Sequence, residues 1–337
     1  MSRLAPQVDL ILELRDARAP IATTNVMLDK VFKGKEKIIL YTKSDLASTT
    51  KREIDKWNVN KETWTFYQNK SEKSINQVMK LLKDKYMEMY PPPPLGLRLM
   101  IVGMPNVGKS SITNMLRSKM LTTGYKSKKP VAHVSKMGGT TRKLSEIIRI
   151  CSEPEILMYD TPGVLLPQVK DVTTMLTLSL IRSVSFKSID PVISADYLLF
   201  AMNLMNPSGK HYSCYLNKPT NDILELLKAV CIKRNMFIKR KRLDDKNKYE
   251  QIYNYNEAAL QLTRDLHDLK FGKLCLDYDI LKDKIEELPI EEKRMIVDAE
   301  KERFDAMEKN PLNRPVDKSK PKTPQQRRAQ LSNQLFQ

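Results

Sequence analysis

The chain alternates short apolar runs with longer segments in which apolar residues recur every three or four positions. A short apolar run bounded by polar residues is typical of a buried strand, whereas the longer spacing is typical of a helix with one apolar face. The runs predict strands at residues 8–14, 37–41, 63–67, 97–102, 144–150 and 155–159. The helical spacing predicts helices at residues 25–32, 48–57, 74–89, 111–118 and 172–183. Strands that alternate with helices indicate an α/β domain with a mostly parallel sheet and helices on both faces.

Beyond residue 186 the pattern is helical, with candidate helices at residues 195–205, 220–235 and 255–269. We therefore expect a smaller α-helical domain to follow the sheet. From Asn310 the composition shifts to Pro, Lys, Arg and Gln, with few apolar side chains. Such a segment cannot bury enough apolar surface to offset its conformational entropy, so a disordered tail is expected there.

Residues 103–110 form the motif around which the rest of the chain is organised. They read Gly-Met-Pro-Asn-Val-Gly-Lys-Ser and match the phosphate-loop spacing Gly-x-x-x-x-Gly-Lys-Ser/Thr, between a predicted strand and a predicted helix. Successive N–H groups in such a loop, and the start of the helix, attract an anion. Lys109 is expected to reach the β- and γ-phosphates, and Ser110 to bind Mg²⁺ through its hydroxyl. The residues predicted to contact the nucleotide here are Asn106, Val107, Gly108, Lys109, Ser110 and Ser111.

A second motif predicts which base is bound. Residues 42–45 read Thr-Lys-Ser-Asp at a predicted strand end and match the guanine-reading pattern Asn/Thr-Lys-x-Asp; the residues predicted to bind the base are Thr42, Lys43, Ser44 and Asp45. A carboxylate at Asp45 can accept from N1–H and from the exocyclic amine of guanine, and adenine lacks that donor pair. The stem of Lys43 is expected to lie over the base plane. Gln68 and Asn69, after the third strand, are expected to place backbone groups near the base.

Two further segments match the switches of GTPases. Asp160-Thr-Pro-Gly163 follows a predicted strand and fits the pattern Asp-x-x-Gly, in which the aspartate holds Mg²⁺ through water and the glycine N–H senses the γ-phosphate. Thr140 and Thr141 are the candidates for the switch hydroxyl that is expected to bind Mg²⁺, and Thr141 is the preferred one. The residues expected to act in catalysis are Lys109, Thr141 and Gly163. Each short motif is weak alone, but together, at predicted strand ends, they indicate a site for GTP or GDP.

The order of these motifs is unusual, because the base-reading residues 42–45 precede the phosphate loop 103–110. This order indicates a circularly permuted P-loop GTPase domain, which is feasible where the original chain termini lie close together. The predicted divisions are 1–90 for the first part of the permuted domain with the base-reading motifs, 91–185 for its second part with the phosphate loop and switches, 186–278 for the helical C-terminal domain, and 279–337 for a helical extension and the basic disordered tail.

The chain resembles the YlqF-type (RbgA-like) ribosome-assembly GTPases in this permuted order and in three stretches. These are Asp-Ala-Arg-Ala-Pro at 16–20, the phosphate loop 103–110 and Asp-Thr-Pro-Gly-Val at 160–164. Residues 264–274 are similar to that family's C-terminal Arg-Asp…Lys-Phe-Gly-Arg-Leu stretch, so the resemblance covers roughly residues 8 to 278. The composition resembles the fungal mitochondrial branch most closely. The resemblance implies GTP hydrolysis coupled to late maturation of the large ribosomal subunit, in the mitochondrial matrix at the inner membrane.

The chain also departs from the family pattern. Members of the family usually carry a Gly-His-Met segment upstream of the first strand, and the given sequence starts after that point. We expect either that the start is truncated, which would also explain why no mitochondrial presequence is seen, or that the chemistry of that segment is supplied otherwise. Val164 stands where classical GTPases place a water-orienting glutamine, so slow intrinsic turnover and stimulation by the ribosomal subunit are expected. The resemblance associates Asn106 with a potassium ion; the alternative is that asparagine is simply a suitable loop residue at this position. His133 is a weaker catalytic candidate.

Charge bears on the partner. The chain has 58 Lys and Arg residues against 40 Asp and Glu, a net charge of +18, which favours a polyanion, either nucleic acid or an anionic membrane surface. Candidate contacts to ribosomal RNA are the seven Lys and Arg residues in Lys233–Lys246 and the seven from Lys309 to Arg328. The alternative for the tail, which we favour less, is a solvated basic face or a peripheral membrane patch. No stretch approaches the ~20 apolar residues of a membrane-spanning helix.

Three functions therefore compete. The first is an assembly GTPase acting on the large ribosomal subunit and its rRNA, expected to be a monomer. The second is an RNA-binding scaffold whose nucleotide pocket does not turn over, which the intact set of Lys109, Ser110 and Asp160 disfavours. The third is a membrane-attached signalling GTPase, but no lipidation motif ends the chain.

Overall fold

A computed structural model describes residues 5–278, apart from residues 26–27, 29–30, 59–60, 122–146, 161–170, 185–188 and 242–248. The strands are β1 (Leu10–Asp16), β2 (Glu36–Thr42), β3 (Thr63–Phe66), β4 (Leu97–Gly103), β5 (Ile147–Ser152), β6 (Glu155–Asp160), β7 (Phe237–Lys241) and β8 (Tyr249–Tyr253). The α-helices of the described residues are α1 (Lys51–Trp57), α2 (Glu72–Glu88), α3 (Lys109–Leu121), α4 (Val172–Leu180), α5 (Pro191–Met205), α6 (Ile223–Arg234) and α7 (Tyr255–His267).

Six strands form one sheet in the order β3-β2-β1-β4-β6-β5. Every neighbouring pair is parallel except β5 and β6, which are antiparallel. Alternate residues of β1 enter different apolar clusters: Leu10, Leu12 and Leu14 pack on one face, and Ile11 packs on the other. Both faces are therefore buried, as parallel strands require. The predicted α/β class with a mostly parallel sheet is confirmed.

Most predicted elements are present, and their ends shift by a few residues. The first strand begins at Leu10 and extends to Asp16, whereas the sequence predicted residues 8–14. Helix α1 begins at Lys51 rather than near residue 48, because Thr50 caps it. The Thr50 side chain accepts from the Glu53 N–H while the Glu53 carboxylate accepts from the Thr50 N–H, a reciprocal capping box.

The C-terminal region is mainly helical, as predicted. Its helices share one continuous apolar cluster with the β1 face of the sheet, including Leu198, Leu226 and Leu262. It also contains an antiparallel pair of strands, β7 and β8, which the sequence pattern did not predict. No helix within the described ranges is long and apolar enough to cross a membrane. The four predicted domain divisions remain predictions.

Candidate nucleotide site

Four parallel strands bring their carboxyl ends to one edge of the sheet. Asp16 ends β1 directly opposite Thr42, the last residue of β2. Gly103 ends β4 opposite Leu14, and Asp160 is the last residue of β6. Ligands of parallel α/β sheets bind at this edge, so the base-reading motif, the phosphate loop and the strand end at Asp160 lie where a single ligand can contact them together.

The phosphate loop has the tight backbone that its glycines permit. Gly103 has φ of 150°, and a Cβ at this position would lie 2.5 Å from the carbonyl oxygen of Leu14. Gly108 has φ of 102°, in the region that other residues rarely adopt. Helix α3 begins at Lys109, whose Nζ donates to the carbonyls of Gly103 (3.2 Å) and Met104 (2.7 Å). The lysine ammonium is thus buried against the loop it follows.

The base-reading motif is hydrogen-bonded to the phosphate loop, although more than sixty residues separate them in the sequence. The hydroxyl of Thr42 donates to the carbonyl of Val107 over 2.6 Å. The ammonium of Lys43 donates to the carbonyl of Asn106 over 2.7 Å. Lys43 and Asn106 both have positive φ, 54° and 60°, which is uncommon for residues other than glycine. The two loops therefore hold each other's backbone in place.

A buried carboxylate that the sequence analysis did not select lies behind Lys43. Oδ2 of Asp16 accepts from Lys43 Nζ (2.9 Å), and both Asp16 oxygens accept from the guanidinium of Arg18 (3.0 and 2.8 Å). Burial opposes ionisation of Asp16, but Arg18 and Lys43 outweigh it and hold the pKa well below its ordinary value. The only feature of the sequence that pointed to Asp16 was the motif at 16–20, which was noted for its family resemblance.

Asp45 differs from Asp16 in having an unused oxygen. Its Oδ1 atom is buried and has no hydrogen-bond partner within the described part of the chain. Leaving a buried acceptor unpaired is costly, so this oxygen is available for a donor from a ligand. The hydroxyl of Ser44 donates to the carbonyl of Tyr67 (3.4 Å), which fixes the base-reading loop beside the end of β3. The exposed residues Gln68 and Asn69 follow there.

Several predicted site residues cannot be placed. Thr140, Thr141, Gly163, Val164 and His133 lie outside the described residues, and Asp160 is described only through its backbone.

Ser110 and Ser111 lie in the first turn of α3, beside Lys109. In the described residues no group of three His, Cys, Asp or Glu side chains could hold a metal ion. A hydroxyl and a carboxylate are oxygen donors that suit Mg²⁺, so Ser110 and Asp160 fit that ion by their chemistry.

Comparison with known proteins gives the family. Residues 98–238 match the model of the family described as 50S ribosome-binding GTPase. Mitochondrial GTPase 1 of Saccharomyces cerevisiae is 35% identical over 269 residues, which cover 73% of each chain. The chain belongs to the mitochondrial GTPase 1 family. Mitochondrial ribosome-associated GTPase 1 of Mus musculus is 30% identical over 294 residues, covering 81% of this chain and 85% of the mouse protein.

Solved structures agree on the fold. GDP-bound YlqF superimposes with a TM-score of 0.54 at 21% identity, covering 81% of this chain and 96% of YlqF. GNP-bound YlqF from T. maritima superimposes with a TM-score of 0.52, covering 80% of this chain and 92% of the YlqF chain. The predicted YlqF-like, P-loop GTPase fold is confirmed.

We expect Asp16→Ala to destabilise the fold far more than Asp9→Ala. Removing Asp16 leaves Arg18 buried without its counter-charge, and such a loss costs about 3–5 kcal/mol. Asp9 is a partly exposed aspartate at the opposite end of β1, and its Oδ2 accepts from the Arg98 N–H, so its loss should cost about 1 kcal/mol. Urea unfolding monitored by circular dichroism measures both; equal losses would contradict the central place given to Asp16.

Proposed function

We propose that this protein binds GTP, hydrolyses it to GDP and phosphate, and uses the cycle to promote assembly of the large ribosomal subunit in mitochondria. The observation that carries the nucleotide assignment is the buried Oδ1 of Asp45, which has no partner among the described residues and lies in a loop hydrogen-bonded to the phosphate loop. An acceptor in that position matches the two donors on the Watson–Crick edge of guanine. Family membership supports GTP hydrolysis.

In the proposed reaction, water attacks the γ-phosphorus and the bond to the β–γ bridging oxygen breaks, giving GDP and phosphate. Lys109 is proposed to neutralise charge on the β- and γ-phosphates, and N–H groups of residues 106–111 to bind phosphate oxygens. Ser110, Thr141 and Asp160 are proposed to hold Mg²⁺, which neutralises phosphate charge. Gly163 is proposed to contact the γ-phosphate. Potassium beside Asn106 is a further proposal from the family resemblance.

The cellular assignment rests on the names of relatives together with the charge of the chain. The mouse relative is called mitochondrial ribosome-associated, and the matching family model is described as 50S ribosome-binding. We extend both properties to this chain, with a matrix location at the inner membrane. The net charge of +18 suits contact with rRNA or an anionic membrane surface. Slow intrinsic turnover, stimulated by the subunit, completes the proposal.

Turnover with and without mitochondrial large ribosomal subunits, in potassium and then in sodium buffer, tests this function. We expect Lys109→Ala to abolish GTP turnover, because the phosphates lose their buried cation. Lys119→Ala is the matched control in the last turn of the same helix, and should turn over normally. GTP binding without turnover under every condition would instead favour the RNA-binding scaffold.

Base selectivity tests the role of Asp45 separately. We expect Asp45→Asn to weaken GTP binding by roughly 100-fold, because the amide cannot accept from both guanine donors. Xanthine carries a carbonyl where guanine has its exocyclic amine, so XTP should bind the variant better than GTP does. Competition with a fluorescent nucleotide measures both affinities, and Asp84→Asn on α2 is the control. Unchanged preference for GTP would exclude Asp45 from base recognition.

The hairpin β7–β8 gives the predicted basic segment two different faces. Cross-strand register puts Phe237 opposite Tyr253 and Lys239 opposite the neutral Gln251, whereas Arg240 on the other face lies opposite Glu250. The rings of Phe237 and Tyr253 are 5.5 Å apart, and Lys228 of α6 lies 5.6 Å from the Tyr253 ring centre. Phe237 is exposed and Tyr253 is half-buried, and within the described residues neither Lys228 nor Lys239 is in an ion pair. An aromatic ring beside lysines suits single-stranded RNA, which binds by stacking and by phosphate contacts. We therefore propose the Lys239 face as the RNA-binding face.

Salt dependence of RNA binding tests this face. We expect the double change Lys228→Ala and Lys239→Ala to weaken binding of a single-stranded RNA, and to reduce the slope of log K against log salt by about 1.4, since each phosphate contact contributes about 0.7. Lys73→Ala with Lys80→Ala on α2 removes the same charge elsewhere. Equal effects of the two pairs would show only a response to net charge.

A further inference from the structure

The C-terminal segment Leu274–Asp277 contacts the loop that follows β1. The N–H of Leu276 donates to the carbonyl of Arg18 over 2.7 Å. Oδ2 of Asp277 accepts from the N–H groups of Ile21 (2.7 Å) and Ala22 (3.1 Å). Because Asp277 is buried and separated from Ile21 by 256 positions, these bonds hold two distant parts of the chain together.

The same segment contacts the base-reading loop. Leu274 forms an isolated parallel bridge with Ala47, and the N–H of Ser48 donates to the Leu274 carbonyl over 3.4 Å. Ala47 lies two residues after Asp45. The C-terminal segment thus lies against both loops that form the base end of the candidate site.

A side chain of the last helix extends this contact to the buried charges. The guanidinium Nη1 of Arg18 lies 3.2 Å from Nδ1 of His267, at the end of α7. A guanidinium can only donate, so Nδ1 of His267 accepts. Burial, followed by the positive charges of Arg18, Arg182 and Lys43, lowers the pKa of His267 to about 3, which agrees with a neutral ring.

These contacts form an unbroken series from the last helix to the base-reading loop. His267 holds Nη1 of Arg18, and Asp16 accepts from Nε and Nη2 of the same guanidinium. Asp16 also accepts from the ammonium of Lys43. We infer that Arg18 is a positioning residue through which the C-terminal helices set the affinity of the site for guanine nucleotides. This inference rests on the proposed function, and adds regulation through the base end of the pocket.

The location of the series determines what it can change. It reaches Lys43 in the base-reading motif, which in turn donates to the carbonyl of Asn106 in the phosphate loop. The base, and the α- and β-phosphates that the backbone of such a loop binds, are common to GTP and GDP. A disturbance at His267 should therefore weaken the binding of both nucleotides by the same factor. By thermodynamic linkage, nucleotide binding should in turn stabilise the contacts of the C-terminal segment.

Three variants of the full chain test the inference by titration with fluorescent GDP and a non-hydrolysable GTP analogue. His267→Leu removes the acceptor at similar size, and we expect Kd for both nucleotides to rise equally, by roughly five- to tenfold. His267→Asn keeps an acceptor near the Nδ1 position and should stay within about twofold of the unmodified protein. Arg264→Ala, on the exposed side of the same helix, should bind normally.

Hydrogen exchange on the unmodified chain tests the predicted linkage between nucleotide binding and the C-terminal segment without any variant. GDP should slow exchange of the Leu276 N–H more than that of Leu227, a core residue of α6 that reports general stabilisation.

Three results would overturn the inference: wild-type affinity in folded His267→Leu, a different change for GDP and GTP, or equal protection of Leu276 and Leu227. If the unmodified chain binds no guanine nucleotide, the proposed function fails first. If it binds and only these comparisons fail, the proposed function stands and the inference alone is wrong.

Discussion

A single buried carboxylate, that of Asp16, organises the base end of the candidate site. An isolated ionised carboxylate inside a protein is strongly disfavoured, so a buried carboxylate needs cations and hydrogen-bond donors around its oxygens. Asp16 obtains its partners from Arg18, two residues away, and from Lys43 at the end of the neighbouring strand. Both cations thus meet the same carboxylate, and Lys43 does so from a backbone with positive φ.

The central strands β1, β2 and β4 could be predicted because they are buried along most of their length and each contains a continuous apolar run. The antiparallel edge strand β5 has exposed positions, so its neighbour and direction do not follow from its composition. The hairpin β7–β8 was missed for a different reason. Its strands read Phe-Ile-Lys-Arg-Lys and Tyr-Glu-Gln-Ile-Tyr, so neither shows the apolar–polar alternation of a half-buried strand, and neither is a continuous apolar run.

The positions of the site motifs could also be predicted, because parallel strands place their carboxyl ends at one edge. What the motifs do there depends on contacts between distant segments. The bond from Thr42 to Val107 follows from no local pattern, and neither does the contact of Arg18 with His267 across 249 positions. The stretch Asp-Ala-Arg-Ala-Pro was noted only for its family resemblance, and the role of its charges follows only from the contacts with Lys43, after β2, and with His267 of α7.

The phosphate loop is held from two directions, and this bears on how the base end can influence it. Thr42 and Lys43 donate to the carbonyls of Val107 and Asn106 on one side. From the other side, the hydroxyl of Ser183 donates to the carbonyl of Pro105 over 2.8 Å, so the residues after α4 also hold the loop. Because these contacts end on backbone carbonyls, a shift of Lys43 would move the chain of the phosphate loop itself. A circular permutation that preserves such bonds changes the order of the chain while keeping the mechanical connection between base and phosphate recognition.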